Sequence, residues 1–529
     1  MKNKQNPIRA LVTAALFVLL PALVQAQFTF ITNDDNAITI TGYSGTNLNV
    51  TIPDTINGRP VTSLGDMALF ACPGLTSVTI GTNVTNIGYQ AFFMSAISNL
   101  TLPAGLVNLG DKAFYSCTRL TNIIIPDRVT RIGDQAFYMC SSLTSVTIGT
   151  SVNSVGNEAF RSCTNLTRVV LPNNLTSIGV GAFYDCASLT DISIPGRVTN
   201  IGNFAFAVCS HLASVAMPTN IDCIHSDLFA DCTSLTSIKI PESVNKIEDY
   251  AFYFSGLTNV MISYSVTNIG ISAFAYCPGL SVITVDENNP SYSSVSGVLF
   301  NKCQTMLMQF PGGKAGSYTI PNSVTNIWGA VFYGCSKLTN VAIGINVTSI
   351  PDGLFEHCTN LISITIPSGV TSIGIFAFLG CSSLANVTIP GTVTNIGNQA
   401  FSYCPNLTSL YFAGNAPANV GLNPIDTATV YYLPGTTGWE EFAELTDVSV
   451  ILWNPQVRTS DGNFGKGANG FGFNIAGTVN IPTVVEAATN LVDAPWTLIQ
   501  SCTLTNGLFY FSDPQWTNYP NRFYHLRSP

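Results

Sequence analysis

Charged side chains are scarce in this chain of 529 residues: Asp, Glu, Lys and Arg make up 9% of it, against about a quarter in an average soluble protein. The 20 basic and 29 acidic residues leave a net charge of −9. A surface that is weakly charged and acidic overall offers no dense basic patch for nucleic-acid phosphates or for an anionic membrane. We therefore expect neither nucleic acid nor a membrane surface as a partner.

Residues that commonly build catalytic and metal sites are also few. The chain has four histidines, and no carboxylate recurs beside them in the sequence. No G-x-S-x-G, H-E-x-x-H, C-x-x-C, P-loop or EF-hand loop is present. We nominate no catalytic, cofactor-binding or metal-binding residue and predict that the protein is not an enzyme. A hydrolase with its site near the C-terminus is the least favoured alternative.

Long hydrophobic runs are missing as well. The apolar stretch from Leu11 to Val24 is too short to span a bilayer. Basic residues precede it, and the small residue Ala26 ends the stretch that follows it, which is the pattern of a secretory signal peptide. We predict a signal peptide at residues 1–26, cleaved near Ala26. The mature protein is then secreted or at the cell surface, with no membrane span.

What the chain does have is a repeat. The pattern C-x-x-L-x-x-V-x-I-x-x-x-V-x-x-I/V-G-x-x-A-F-x-x-C returns at a period of 23 residues, with occasional steps of 22. A fixed period of this size indicates a solenoid, in which each unit buries its apolar side by stacking on its neighbours. Twelve cysteines share the closing position of the unit: Cys72, Cys117, Cys140, Cys163, Cys186, Cys209, Cys232, Cys277, Cys335, Cys358, Cys381 and Cys404.

Within a unit, L-x-x-V-x-I alternates apolar and polar residues, which predicts a strand buried on one face. Such strands are expected, for example, at Leu143–Ile148, Leu189–Ile194 and Leu235–Ile240. A Pro or Gly ends the strand, a second short apolar pair follows, and A-F-x-x-C is expected to close the coil as a short helical turn. The predicted fold class is a mainly-β solenoid of about 15 coils over residues 65–412, forming a rod or arc with columns of Leu, Ile/Val and Phe.

This repeat resembles the BspA-type (treponemal) leucine-rich repeat of bacterial surface proteins, over roughly residues 38–412. Residues 285–327 resemble that family's hairpin-like variant repeat, which accounts for the gap of 58 residues between Cys277 and Cys335. We assign variant repeats to residues 278–334. The resemblance implies protein or matrix binding at a cell surface and no shared chemistry.

An exported chain with fifteen cysteines would ordinarily be expected to form disulfides. Equivalent positions in stacked coils point the same way, which does not suit the crossed geometry of a disulfide. We therefore predict a column of small, buried, free thiols. Cys223, Cys303 and Cys502 lie outside the register, and their state stays open.

Regions flanking the repeat divide into three parts. Residues 27–64 read as an N-terminal β cap, and residues 413–454 as a C-terminal cap or linker. Residues 455–529 contain several short strand-like runs between turns, which suggests a small β-sandwich. Its core is expected to contain the aromatic residues Trp496, Phe509, Tyr510, Phe511, Phe523 and Tyr524.

The outward positions of the L-x-x-V-x-I strands are mostly small and uncharged, so most of them need only solvate the sheet. Rare charges on such a face mark a candidate binding patch: Ser145, Thr147, Arg168, Asp191, Ser193 and Lys239. The favoured function is an exported, monomeric, non-enzymatic binding protein that recognises an extracellular protein or polysaccharide, as an adhesin does. The alternative is a structural spacer that presents the C-terminal β domain.

Overall fold

The computed structural model describes residues 27–426, 428–467, 470–491 and 495–527. The chain divides after Lys302 into two compact units. The expected signal peptide, residues 1–26, lies outside the described residues. Within the part of the chain that is described, no helix is long and apolar enough to cross a membrane.

The first unit opens with five strands that begin the stack. They are β1 (Phe28–Thr32), β2 (Ile38–Tyr43), β3 (Asn49–Ile52), β4 (Thr55–Ile56) and β5 (Arg59–Leu64). The hairpins β1–β2 and β4–β5 are antiparallel, whereas β2 already pairs in parallel with β5. The N-terminal segment therefore passes directly into the parallel stacking of the repeat.

Most of the following coils have a longer strand and then a strand of two residues, although the coil of β20 has only the short strand. The longer strands are β6 (Ser77–Ile80), β8 (Asn99–Thr101), β10 (Asn122–Ile124), β12 (Ser145–Thr147), β14 (Arg168–Val170), β16 (Asp191–Ser193), β18 (Ser214–Ala216), β21 (Asn259–Ile262) and β23 (Val282–Val285). The short strands are β7 (Asn86–Ile87), β9 (Asn108–Leu109), β11 (Arg131–Ile132), β13 (Ser154–Val155), β15 (Ser177–Ile178), β17 (Asn200–Ile201), β19 (Cys223–Ile224), β20 (Lys246–Ile247) and β22 (Asn268–Ile269).

Stacking brings equivalent residues of successive coils side by side, as the period predicts. Ser145 pairs with Arg168, and Val146 with Val169, in a parallel register. The alternating strand positions are buried, and the Phe rings of successive coils stack in one column, with 5.2 Å between the centroids of Phe137 and Phe160. The predicted mainly-β solenoid with columns of apolar side chains is confirmed.

The segment that closes each coil is not the helical turn that the sequence predicts. In one coil the amides of Gln135, Phe137 and Met139 donate to the next coil, while Ala136, Tyr138 and Cys140 donate to carbonyls three residues back. Gln135 and Met139 reach this geometry with φ of 56°, a region that L-residues occupy at a cost. In a helix every amide would bond within its own segment. The hydrogen bonds between coils therefore favour these tandem turns.

The thiols of the closing column are free and buried in almost every coil. From Cys117 onward, the thiols whose bonds are described donate to the carbonyl of a Phe in the previous coil, as Cys163 Sγ does to Phe137 O at 3.2 Å. Where serine takes the position, its hydroxyl bonds instead, as Ser95 Oγ does to Leu69 O at 2.8 Å. The predicted column of free thiols is confirmed, and its thiols add a second donor to carbonyls that also accept from a backbone amide, as Phe137 O does from Cys140 N.

The predicted hairpin in the variant repeat is also present. Strands β24 (Tyr292–Val295) and β25 (Val298–Asn301) are antiparallel. Ser296 and Gly297 form the turn between them, both with positive φ, as a two-residue hairpin loop requires.

The second unit continues the coils to residue 452. Its strands are β26 (Met306–Gln309), β27 (Gly316–Thr319), β28 (Asn326–Ile327), β29 (Leu338–Ala342), β30 (Ser349–Ile350), β31 (Ser363–Thr365), β32 (Ser372–Ile373), β33 (Asn386–Ile389), β34 (Asn395–Ile396), β35 (Ser409–Phe412), β36 (Asn419–Val420), β37 (Thr429–Tyr432) and β38 (Val450–Leu452), with helix α1 (Trp439–Thr446) before β38. Parallel pairing of β35, β37 and β38 carries the ladder past the last repeat cysteine. With the regions that flank residues 65–412 included, the described part of the chain has about eighteen coils.

The C-terminal block consists of two antiparallel sheets. Its strands are β39 (Gln456–Arg458), β40 (Gly465–Gly467), β41 (Gly470–Ala476), β42 (Pro482–Ala488), β43 (Thr497–Thr503), β44 (Leu508–Asp513) and β45 (Phe523–Arg527), with a 3-10 helix at Trp516–Asn518. Strand β41 pairs with β39, β40 and β44, and β42 pairs with β43 and β45. Phe473 and Phe511 from one sheet pack with Val485 from the other, so the two sheets share one core.

Not all of the aromatics predicted for this core are inside it. Phe511 is buried, and Phe509 and Tyr524 pack against the core. Tyr510 and Phe523 are exposed, because they occupy the alternate, outward positions of their strands. The core also contains Tyr411 and Tyr431 from the last coils, and Trp453 Nε1 donates to Pro482 O at 2.9 Å. The block is thus packed directly on the end of the coils.

Candidate binding face

Two columns of exposed side chains run along the longer strands of the first unit. Ser145 lies beside Arg168 in one column, and Thr147 beside Val170 in the other. In the next pair of coils, Asp191 lies beside Ser214 and Ser193 beside Ala216. All six residues of the predicted patch, including Lys239, are exposed. The alternation that predicted their direction is confirmed, although exposure alone does not assign them a partner.

The charged members of this face are not neutralised by neighbours. Arg168, Asp191 and Lys239 take part in none of the ion pairs among the described residues. The Asp191 carboxylate accepts a hydrogen bond from Thr190 Oγ1 at 2.9 Å. These charges therefore remain available to a partner, whereas charges elsewhere, such as Arg131 with Asp134, are paired.

Large apolar side chains share the second column. Ile124 is 66% exposed, Val170 57% and Met261 59%. The sequence pattern identifies Val170 and Met261 as outward, whereas Ile124 is hidden in the apolar run Ile123-Ile124-Ile125. Alternation within a strand is the signal that could have placed it. Exposed apolar residues beside uncompensated charges are the composition expected of a recognition surface.

The strand ladder opens at the end of this face. Strand β18 pairs with β16, but residues 237–240 form no strand, so the strand predicted at Leu235–Ile240 is not formed. A cleft of about 550 Å³ lies there. Its lining residues are Val215, Ala216, Met217, Thr219, Lys239, Pro241, Glu242 and Ser243. Lys239, one of the predicted patch residues, therefore lies at a cavity and not on a flat sheet.

Where the strand ladder opens, the Phe column is also more widely spaced. The ring centroids of Phe206 and Phe229 are 5.9 Å apart and those of Phe229 and Phe252 are 5.7 Å apart. Every other neighbouring pair in this unit's column is separated by 5.1 to 5.4 Å. In the wider coils, Leu228 replaces the usual Ala before the Phe, and His225 replaces a glycine. Larger side chains at these two positions coincide with the wider spacing.

Three histidines lie near a glutamate in the structure, although no carboxylate recurs beside the histidines in the sequence. His225 Nδ1 is 3.2 Å from Glu248 Oε2, and His525 Nε2 is 3.1 Å from Glu486 Oε2. The third pair, His357 and Glu356, is longer at 3.9 Å. The partners of His225 and His525 come from other coils or strands, so local sequence does not reveal them.

Cys223, which the repeat register could not place, lies beside the first of these pairs. Cys223, His225 and Glu248 form the one group of three metal-ligating residues found in the described part of the chain. Their ligand atoms all lie within 4.8 Å of one another. The remaining off-register cysteines are free, Cys303 exposed and Cys502 half-buried.

Comparison with known proteins agrees with the repeat. The profile of the BspA type leucine rich repeat region matches in six copies, over residues 36–167, 153–281 and 308–418. A search of curated proteins found no match.

Similar solved structures are bacterial leucine-rich repeat proteins. A leucine rich cell surface protein from Faecalibacterium prausnitzii is 28% identical, with 80% of this chain and 97% of that chain covered and a TM-score of 0.48. A leucine-rich repeat protein from Bacteroides ovatus is 25% identical, with 81% and 98% covered and a TM-score of 0.45.

The family is one of repeat surface proteins and is not known for enzymes. The family profile covers well over half of the residues, and the structure consists of repeated coils. The chain therefore belongs to the BspA-type leucine-rich repeat family.

Proposed function

We propose that this is an exported binding protein that recognises an extracellular protein or polysaccharide through the strand face of its first unit, in an adhesion-type role. The observation that carries the proposal is the face around β14, β16 and β18. There, Arg168, Asp191 and Lys239 are exposed and unpaired, and the ladder opens into a cleft of about 550 Å³. Residues 1–26 act as the export signal, and the secreted or surface-held protein works as a monomer.

The combination of groups supports recognition over simple solvation. A face that only solvates the sheet needs small polar residues, which most coils supply. The exposed side chains of Val170 and Ile124 have an unfavourable free energy of hydration, and their exposure brings no benefit to the isolated protein. A partner that covers them while pairing with Arg168 and Lys239 recovers that cost.

The test is a binding screen on a glycan array and a panel of matrix proteins, with the mature chain. The double variant R168E/K239E reverses the two cationic groups of the face. The matched control R119E/R128E reverses two exposed charges of one coil outside the strand columns. All four substitutions are at exposed sites, so each is expected to change stability by no more than about 0.5 kcal/mol.

We expect at least one ligand class to bind the parent and the control, and to bind R168E/K239E at least tenfold more weakly. Equal binding by parent and R168E/K239E for every ligand found would remove the strand face as the site.

A second candidate function, a spacer that presents the C-terminal β domain, is favoured by a different cavity. A cleft of about 220 Å³ lies where the block meets the last coils. Tyr411, Tyr431, Trp453, Leu433 and Leu526 are among its lining residues, and aromatic walls of this kind suit a small ligand or a sugar.

This alternative has its own pair of variants. L433E places a charge in the cleft, whereas L445E places one on α1, where Leu445 is 69% exposed and does not line the cleft. Loss of binding in L433E alone, with full binding in R168E/K239E, would make the solenoid a spacer.

A further inference from the structure

The group formed by Cys223, His225 and Glu248 lies where two adjacent coils of the first unit meet. Cys223 is in β19, and it pairs in register with Lys246 of β20. His225 and Glu248 each follow the last residue of these short strands. The three side chains are all half-buried, so an ion from solvent could reach them.

The repeat itself is the internal comparison. In the other coils of the first unit, the position of His225 and Glu248 is occupied by Gly65, Gly88, Gly110, Gly133, Gly156, Gly179, Gly202 and Gly270. Glycine is required there by close packing: a Cβ on Gly179 would lie 2.6 Å from the backbone nitrogen of Asn157, and one on Gly202 would lie 2.5 Å from that of Val180. Two consecutive coils have His225 and Glu248 in place of glycine, at a position where a side chain collides with the backbone of the previous coil in the regular coils.

The third departure falls at the same place. The position of Cys223 is Ser or Asn in most coils of the unit, such as Ser154, Ser177 and Asn200. Trp328 and Pro351 show that the glycine position can also be lost without any ligating group. The group at β19 and β20 is different. There, each of the three residues that replace the usual ones carries an atom that can ligate the same kind of metal ion.

The geometry is close to that of a coordinated ion. His225 Nδ1 and Glu248 Oε2 are 3.2 Å apart, and all three ligand atoms lie within 4.8 Å. Zinc bonds of about 2.3 Å to sulfur and about 2.0–2.2 Å to nitrogen and oxygen put neighbouring tetrahedral ligands roughly 3.2–3.7 Å apart. Side-chain adjustments of about 1 Å, without backbone movement, bring the group into that range.

Surrounding groups hold the carboxylate in place. Ser226 N donates to Glu248 Oε2 at 3.0 Å, and Lys246 Nζ donates to Oε1 at 2.8 Å. These hydrogen bonds keep Oε2, the oxygen nearest His225, directed at Cys223 and His225. Supporting hydrogen bonds orient the ligands of metal sites in the same way. A divalent cation that binds here would take the place of the thiol proton of Cys223, because the thiolate is the form that ligates a metal.

We propose that Cys223, His225 and Glu248 form a binding site for one divalent transition-metal ion of the zinc class. A thiolate, an imidazole and a carboxylate are the ligand set that zinc accepts, with a fourth position left for water or for a group of a partner. The ion would tie together the coils of Phe229 and Phe252, whose ring centroids are 5.7 Å apart in the Phe column of the first unit. The proposal is independent of what the strand face binds.

The test is titration of the purified, metal-free protein with Co²⁺, followed by displacement with Zn²⁺. Thiolate–Co²⁺ absorption in the near ultraviolet reports the sulfur ligand, and calorimetry with Zn²⁺ reports stoichiometry and affinity. The variants are C223S and H225G, which restore residues found in regular coils, and E248Q. The controls C303S, C502S and H357A alter two other accessible thiols and a second His–Glu pair.

We expect one equivalent to bind, loss of the thiolate–Co²⁺ absorption in C223S, and at least tenfold weaker Zn²⁺ binding in H225G and E248Q. The controls should bind as the parent does. Failure of the parent to bind stoichiometrically, or unchanged binding in C223S, would overturn the proposal. Hydrogen exchange of neighbouring coils, if it matches that of the parent, shows that a loss of binding is not a loss of folding.

Discussion

Two stretches of the first unit follow the same 23-residue repeat and pack differently. From Gly110 to Gly202 the Phe rings of successive coils are 5.2 to 5.4 Å apart, and glycine allows the backbones to touch. Around Phe229 the spacing rises to 5.9 and 5.7 Å, the ladder after β18 opens, and Cys223, His225 and Glu248 meet. Close packing leaves a regular surface, and its local relaxation makes room for a cleft and for a cluster of ligating groups.

The largest expected effect contrasts the Phe column in the two stretches. Phe160 and Phe229 are both fully buried, so F160A should cost about 3–5 kcal/mol of stability in its part of the stack. F229A should cost less, because its neighbours already stand farther away and make weaker contacts. Hydrogen exchange of the flanking coils measures both, and an equal cost would show that the wider spacing has no energetic meaning.

A second contrast exchanges the residues at the glycine position. G179A brings a Cβ to within 2.6 Å of Asn157 N and should destabilise by about 1–3 kcal/mol. H225G removes a side chain where the coils have already separated, and its effect should be smaller. Urea midpoints of the metal-free proteins measure the difference. A larger loss in H225G would mean that His225 is structurally required there.

The thiol column allows a finer comparison within the regular stretch. C163A removes the thiol donor to Phe137 O, which keeps the Cys140 amide as its other donor, and should cost about 1 kcal/mol for the lost hydrogen bond. C163S keeps a donor, as Ser95 does naturally, and should cost less. If C163A and C163S lose the same free energy of unfolding, the hydrogen bond contributes nothing to stability and the thiol contributes only through packing.

Alkaline pH should weaken the column through the same thiols. Burial raises the pKa of Cys209 from 9.0 to about 12, so its stabilising contribution is complete below pH 9 and is lost as the pH rises toward 12. Between pH 7 and pH 10 the parent should lose about 1 kcal/mol more than C209S. Parallel pH profiles of urea unfolding for the two proteins would contradict this.

Much of the fold follows from the repeat alone. A period of 23 residues with apolar positions in fixed columns dictates stacked coils, because no single coil can bury its own apolar side. The same register accounts for the free thiols and for the outward direction of Arg168 and Asp191. The hairpin at β24 and β25 is also visible from the family resemblance of its residues.

Other features depend on how side chains fill space between coils. The tandem turns replace the expected helical turn because backbone amides donate hydrogen bonds to the next coil. The sequence pattern does not show in which direction these amides point. The packing of the C-terminal block on Tyr411 and Tyr431 joins residues far apart in the chain.

By itself, then, the sequence determined the solenoid, its columns and the side of each strand that faces solvent, since periodicity specifies which residues of adjacent coils are neighbours. Only the tertiary structure decided that Lys239 lines a cleft and that Cys223 and His225 meet Glu248. The reason is that distances between atoms of adjacent coils depend on coil spacing, which a few bulky residues at close-packed positions can change.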